Sequence, residues 1–216
     1  MLVNIFLIMT AYLLGSIPSA VWIGKRFHGI DVREHGSHNA GATNTLRVLG
    51  SRAALVVFAM DVLKGFLAVM LAHLSGYFSG SDYMFNLKIA LVAAAVLGHI
   101  FPIFANFKGG KGVATLAGAT LGVHPHAVLI CLAIFIIILL ITHYVSLSSI
   151  CAGVCFPFVL FFVFGERSET LMIYSVVVAG LLIFTHRKNI KRLLAGTESK
   201  TYLCKKKKEE AISPDS

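Results

Sequence analysis

Charge is scarce in this chain. Aspartate, glutamate, lysine and arginine supply 13% of its 216 residues, against 57% hydrophobic side chains, and the mean hydropathy is +0.82. Soluble domains carry about 25% charge, so an ordinary water-soluble fold is excluded and an integral membrane protein is expected. The length suits one helical membrane domain. Cysteine is too sparse and too apolar in context for a disulfide framework. Cys131, Cys151 and Cys155 lie in apolar runs as small packing residues, and Cys204 lies in the tail. The nine histidines form no H-E-x-x-H, and His124 and His126 merely flank a proline, so neither a metal nor a cofactor is expected. G-x-x-x-x-G-K-[ST] is absent, which excludes a Walker A loop. No stretch interleaves aromatic with basic residues, and no nucleic-acid partner is expected. Met1 to Trp22 lacks a basic n-region, so the first apolar segment is expected to stay as a membrane helix rather than be cleaved.

The apolar runs set the architecture. They cover Val3–Gly24, Ala53–Leu74, Phe85–Phe107, a long stretch Val113–Thr142, then Ile150–Phe164 and Leu171–Phe184. A span needs about 20 residues, so 113–142 is too long for one and short for two. Gly122-Val123-His124-Pro125-His126 interrupts it. Net charge is +9 and concentrates in three segments: Lys25–Arg52, Lys108–Lys111 and His186–Lys208. The positive-inside rule assigns all three to the cytoplasm. Lys108 and the tail share a side only across an even number of crossings, so 113–142 crosses twice, as helices 113–123 and 126–142. The expectation is an all-α polytopic protein with seven transmembrane helices, some short, the N-terminus outside and the C-terminus cytoplasmic. A re-entrant 113–142 hairpin keeps the same parity. Residues 1–198 form one membrane domain, and 199–216 form a basic, disordered cytoplasmic tail near anionic lipid.

Three polar constellations then face one side. Gly36 to Arg47 is dense in hydroxyls and amides and closes on an arginine able to fork onto phosphate. Gly98 to Thr115 breaks an apolar run with Lys108, Gly109, Gly110, Lys111 and Gly112. Glycines let backbone N–H groups approach a ligand, and the helix starting after them offers a positive dipole end to an anion. The alternative is a basic loop touching lipid headgroups. In the third, Thr185 to Arg192, His186 and Asn189 share a helical face at i, i+3, while Arg187, Lys188 and Arg192 suit a membrane anchor. Asp61 and Lys64 lie three apart inside a span, as a functional pair or a structural one.

G-S-x-N-x-G-A-T-N-x-x-R, G-H-x-F-P-x-F-x-x-F-K-G-G-K-G-V-A-T and T-H-R-x-N-I-x-R-L-x-x-G-T-E, in this order, resemble the three cytoplasmic motifs of the bacterial PlsY family. Gly15 to Ala20 and D-x-x-K-G at Asp61–Gly65 are similar to it as well, so the likeness covers about residues 10 to 198. His143 departs from it, since arginine is expected there. The family comprises membrane acyl-phosphate:glycerol-3-phosphate acyltransferases with a seven-helix fold. The resemblance implies transfer of a long-chain acyl group from acyl phosphate to the 1-hydroxyl of sn-glycerol 3-phosphate, giving lysophosphatidic acid and phosphate. This is the first acylation of phospholipid biosynthesis, at the bacterial cytoplasmic (inner) membrane. It places Ser37, Arg47, Lys111, His186 and Asn189 at the reacting centre, with Ser37 as donor, proton relay or nucleophile. Substrate binding is expected from Asn39, Gly41, Thr43, Asn44 and Lys64, and from His99, Lys108, Gly109, Gly110, Gly112 and Thr115. Membrane lipids and the enzyme that makes acyl phosphate are the expected partners. H-x-x-x-x-D, carried by soluble-domain glycerophosphate acyltransferases, is absent. A phosphate transporter is disfavoured because no internal repeat appears and the polar motifs gather on one side.

Overall fold

A computed structural model describes residues 2–202. The basic stretch from 203 onward, where disorder is expected, lies outside the described residues. Every apolar run folds as helix. The first becomes α1 (Leu2–Gly15) and α2 (Ser19–His28), broken at Ser16-Ile17-Pro18 and bent by 40°. Pro18 has no N–H to continue the ladder. The polar segment expected as a loop is partly ordered, with a short helix α3 (Ala42–Leu49) leading through Gly50 into α4 (Ser51–Met70). Next come α5 (Asp82–Ile100), α6 (Val113–Leu121) and α7 (Pro125–Thr142), then α8 (Val145–Phe158), α9 (Glu169–Thr185) and α10 (Arg187–Leu194). Helix α5 stops seven residues short of the expected Phe107, and α8 starts five before Ile150.

Four helices are long and apolar enough to cross a membrane, or up to six if each bent pair is one span. Of the seven expected spans, α6 is the one that passes neither alone nor as part of a bent pair. Its nine residues rise about 14 Å at 1.5 Å each, about half of a 30 Å hydrocarbon core. The described residues are thus all-helical and multi-pass.

Small residues set the closest crossings. Helices α4 and α6 meet glycine to backbone in both directions. A Cβ on Gly65 would lie 2.1 Å from the Thr115 carbonyl oxygen, and one on Gly118 would lie 2.0 Å from that of Val62. Close backbone approach is how membrane helices gain packing without a hydrophobic drive between them. This crossing anchors the short α6 against α4. The ammonium of Lys88 on α5 adds a cap, donating to the Gly122 carbonyl at the α6 C-terminus at 3.0 Å.

The break between α1 and α2 is stitched by charges from α4. Lys64 Nζ donates to the Ile17 carbonyl at 2.8 Å, and Ser19 Oγ donates to Asp61 Oδ1 at 2.9 Å. The pair is itself 2.8 Å apart and almost wholly buried. The cation therefore meets the negative end of α1 and the carboxylate the positive end of α2, as the two helix dipoles favour.

Candidate active site

One cavity of about 390 Å³ opens at the end of the bundle where the three polar constellations converge. Ser37, Arg47, Lys111, His186 and Asn189 all line it, as do Asn39, Gly41, Thr43, Asn44, His99 and Gly112. Its lining also includes apolar side chains, Leu55 and Phe58 from α4, both exposed, and Phe135 from α7.

The first wall is the 31–47 segment. Asn44, 1% exposed on α3, is its scaffold. Its Nδ2 donates to the Val32 and His35 carbonyls at 2.7 and 3.1 Å, and its Oδ1 accepts from Ser37 N at 2.7 Å and Ser37 Oγ at 3.1 Å. The Asn44 amide is thereby fully engaged within the protein. Expected to bind substrate, it lines the cavity and orders the loop that presents Ser37. The Ser37 hydroxyl directs its proton at Asn44, and among the described residues no histidine or carboxylate bonds to it. That geometry leaves it as an acceptor and activates no nucleophile.

The second wall is the glycine–lysine loop before α6. Only Gly112 among its glycines has positive φ, +81°, forming the α6 N-cap. The Gly109 and Gly110 N–H groups donate to the Ile100 and His99 carbonyls, both at 3.2 Å. A Cβ on Gly109 would lie 2.0 Å from the His99 carbonyl oxygen, and one on Gly110 would lie 2.3 Å from His99 Nε2. These two glycines were expected to bring backbone N–H groups to a ligand. They let the loop fold back against the end of α5 instead, and neither lines the cavity.

Lys108 is exposed and off the cavity. Lys64 also stays off it, bonded to Asp61 and Ile17. Thr115 is fully buried, its Oγ1 3.1 Å from His99 Nδ1, which in turn stands 3.7 Å from Asp61 Oδ1. Lys64 and Thr115 thus sit behind Asp61 and His99, which line the cavity, while Lys108 stays outside. Lys111 is the loop cation that enters the cavity.

The third wall is built by the start of α8, by His186 and α10, and by the segment after them. Lys111 donates to Asn189 Oδ1, and Asn189 Nδ2 donates to Glu198 Oε1 at 2.6 Å. Ser146 Oγ reaches the same oxygen at 2.8 Å, and Arg192 Nε reaches Glu198 Oε2 at 2.6 Å. Arg47 Nη2 donates to the Ser199 carbonyl at 3.3 Å, while Thr201 N donates to that of His143. Residues 199–202, grouped with the tail on sequence grounds, therefore pack on the bundle. His143 sits in the left-handed region at φ +61° as the α7 C-cap, with its ring against Tyr202.

Charge and burial set the protonation states. Burial pulls Lys111 down to about 8, with Arg192 and Arg47 adding to the effect and Glu198 opposing it. Burial, with Arg192, also holds Arg47 below its ordinary value. Glu198 lies below the usual carboxylate range because hydrogen bonds from Asn189, Arg192 and Ser146 outweigh its burial. His186, just beyond α9 and 2% exposed, falls to about 4, first by burial and then by Lys111. Its Nδ1 is 2.8 Å from the Leu182 carbonyl. A carbonyl only accepts, so Nδ1 carries the proton and Nε2 is left as a neutral acceptor.

Glu198, Ser146 and Ser149 line the cavity and were not singled out as site residues; Asp61, read as functional or structural, lines it too. Glu198 had two visible signals, as the last residue of the third motif and as a lone acid closing the basic 185–198 stretch. The two serines had none, because a serine-rich helix start reads equally well as capping.

Comparison with known proteins gives the family and the fold. Residues 5–196 match the family model described as glycerol-3-phosphate acyltransferase. The chain is similar to a glycerol-3-phosphate acyltransferase of Fusobacterium nucleatum subsp. nucleatum, 46% identical over 195 residues, covering 90% of this chain and 96% of that one. A protein of the same name from Thermoanaerobacter sp. is 47% identical over 192 residues, covering 88% of this chain and 91% of the other. Among solved structures, it resembles the crystal structure of PlsY (YgiH), an integral membrane glycerol 3-phosphate acyltransferase, in its glycerol 3-phosphate form. The TM-score is 0.82 at 38% identity, over 92% of this chain and 96% of that one. The lysophosphatidic acid form of that enzyme matches with a TM-score of 0.79, at 38% identity over 92% of this chain and 95% of that one.

Proposed function

The chain belongs to the glycerol-3-phosphate acyltransferase family, and from that premise we propose that it moves an acyl group from acyl phosphate to the 1-hydroxyl of sn-glycerol 3-phosphate. It is a membrane acyltransferase; the donor and the residue roles are the proposal. The observation that carries it is the convergence of two cations, Arg47 and Lys111, and the buried His186 on one cavity that also has apolar side chains in its lining. Both substrates bring a phosphate. Arg47 and Lys111 supply the opposing charge, and Thr43, Asn39 and Gly41 border the same space. The acyl chain lies along Leu55, Phe58 and Phe135 or in the adjoining bilayer. Ser37 accepts a hydrogen bond from the acceptor's hydroxyls, and Asn189 holds Lys111 in place.

In the proposed step the 1-hydroxyl oxygen attacks the acyl carbon, the bond from carbon to phosphate oxygen breaks, and inorganic phosphate leaves. Phosphate is a good leaving group, so positioning and charge stabilisation dominate. His186 Nε2 accepts the attacking hydroxyl and orients it. A ring titrating at about 4 is a weak base at neutral pH. A substrate phosphate oxygen, titrating near about 6, takes the proton instead. The transporter alternative has no supporting feature, because the polar groups gather at one end.

We further propose seven crossings with α6 as a short one, the N-terminus outside and the C-terminus in the cytoplasm of a bacterial inner membrane, where contact with the enzyme making acyl phosphate would deliver the donor. The basic segments support this by the positive-inside rule. The donor is tested by offering labelled glycerol 3-phosphate with palmitoyl phosphate or palmitoyl-CoA. Lysophosphatidic acid is expected with acyl phosphate alone; equal product from the CoA ester overturns the assignment.

A further inference from the structure

We propose that Arg33 is a positioning residue that clamps the glycine–lysine loop in a strained shape and so holds Lys111 at the cavity. The inference rests on the function proposed above. Arg33 lies outside the three sequence motifs, and its side chain is one-fifth exposed at 20%. One edge of its guanidinium forks Asp31, with Nε 3.0 Å from Oδ1 and Nη2 2.7 Å from Oδ2. Asp31 is fixed in turn by the Arg33 backbone N–H at 3.0 Å and by Lys25 Nζ at 3.3 Å. That leaves Nη1 facing away from the ion pair. It donates to the Ala105 carbonyl at 2.8 Å and to the Lys108 carbonyl at 3.2 Å.

Those two carbonyls bracket an unfavourable turn. Asn106 and Phe107 between them have φ of +54° and +57°. Consecutive side-chain-bearing residues in the left-handed region are disfavoured by crowding of Cβ against the carbonyl. Asparagine tolerates it and phenylalanine does not. Phe107 is 57% exposed, so burial of its ring does not hold it there. Such a conformation persists only when its surroundings over-determine it. Arg33 grips the turn from one side. From the other, the Gly109 and Gly110 N–H groups pin the chain to Ile100 and His99. Lys111 follows directly, and its direction into the cavity is set by where this turn ends. An arginine serving only as a surface ion pair would not extend a donor to carbonyls 72 and 75 residues away.

The test compares Arg33→Lys, Arg33→Gln, Phe107→Gly and Arg33→Gln/Phe107→Gly in the full chain. A loop competent one-tenth of the time raises an apparent KM by about tenfold while leaving kcat within about twofold. That rise is expected for a phosphate-bearing substrate in Arg33→Gln, and a smaller one in Arg33→Lys, which keeps the charge and loses the fork. Glycine at 107 removes the strain, so the double variant should return to within about threefold of wild type. Hydrogen exchange at the Gly109 and Gly110 amides gives a second reading that does not use activity. They should exchange faster in Arg33→Gln and be protected again in the double variant. Unchanged KM values and unchanged protection overturn the clamp. So does a loss of kcat that follows loss of folded protein with no rescue by Phe107→Gly. If the wild type transfers no acyl group, the proposed function fails, and the exchange data still decide the clamp.

Discussion

Lys111 lies half-buried among Glu198, Arg192 and Arg47, and this gives activity an alkaline limit. Its ammonium is present below about 8 and is lost as pH rises through that value. Affinity for a phosphate substrate should therefore fall above pH 8, and Lys111→Arg, whose cation does not titrate in this range, should move the limit upward. An alkaline limit identical in both enzymes would remove Lys111 from the phosphate contact. Lys111→Ala or Arg47→Ala deletes one charge-assisted contact of about 1.5–3 kcal/mol, so kcat/KM should drop at least tenfold to a hundredfold. His186 predicts the opposite kind of result. Held at about 4, it stays neutral across the working range, so no kcat inflection near the ordinary histidine value of about 6.5 should come from this ring, and one set by the substrate phosphate at about 6 should persist without it. His186→Lys should be inactive. A kcat inflection near 6.5 that vanishes in a His186 variant would contradict the neutral-acceptor role.

At the level of elements, the helices were legible from apolar runs and one break from Gly122 to Pro125, whereas the first run, read as a single helix over Val3–Gly24, breaks at Ser16-Ile17-Pro18. The cavity's five principal residues were legible because they sit in motifs dense in hydroxyl, amide and cation. What could not be read was which polar atoms face each other. Lys64 looked available for phosphate, yet the Ile17 carbonyl freed by the helix break takes it. Gly109 and Gly110 looked like ligand-facing amides, yet the end of α5 occupies them. Glu198 joins Ser146, 52 residues away, and that pairing is set by tertiary packing alone. The stitch between α4 and the α1–α2 break carries its own prediction. Removing one partner of a buried ion pair costs about 3–5 kcal/mol. Lys64→Met should therefore lower the unfolding temperature in detergent sharply, and adding Asp61→Asn should restore part of the loss. A Lys64→Met protein as stable as wild type would mean that the pair does not hold the break.

For the whole molecule, topology and chemistry meet at one end. Ser146 bonds Glu198 at 2.8 Å, so the start of α8 and the segment after α10 share a side. The turn bearing Phe78, between α4 and α5, is expected on the opposite side. On a cysteine-free background, single cysteines at 145 and 200 should label only from the cytoplasm and one at 78 only from outside. Labelling of 78 and 200 from the same side would contradict the proposed crossing of α4. The central claim is that this one cavity joins an acyl phosphate to glycerol 3-phosphate. Its most direct test measures phosphate release from palmitoyl phosphate by the purified protein. The account predicts release that depends on glycerol 3-phosphate, matches lysophosphatidic acid mole for mole and is nearly lost in Lys111→Ala. Release that is independent of glycerol 3-phosphate, or that proceeds equally well without Lys111, would contradict it.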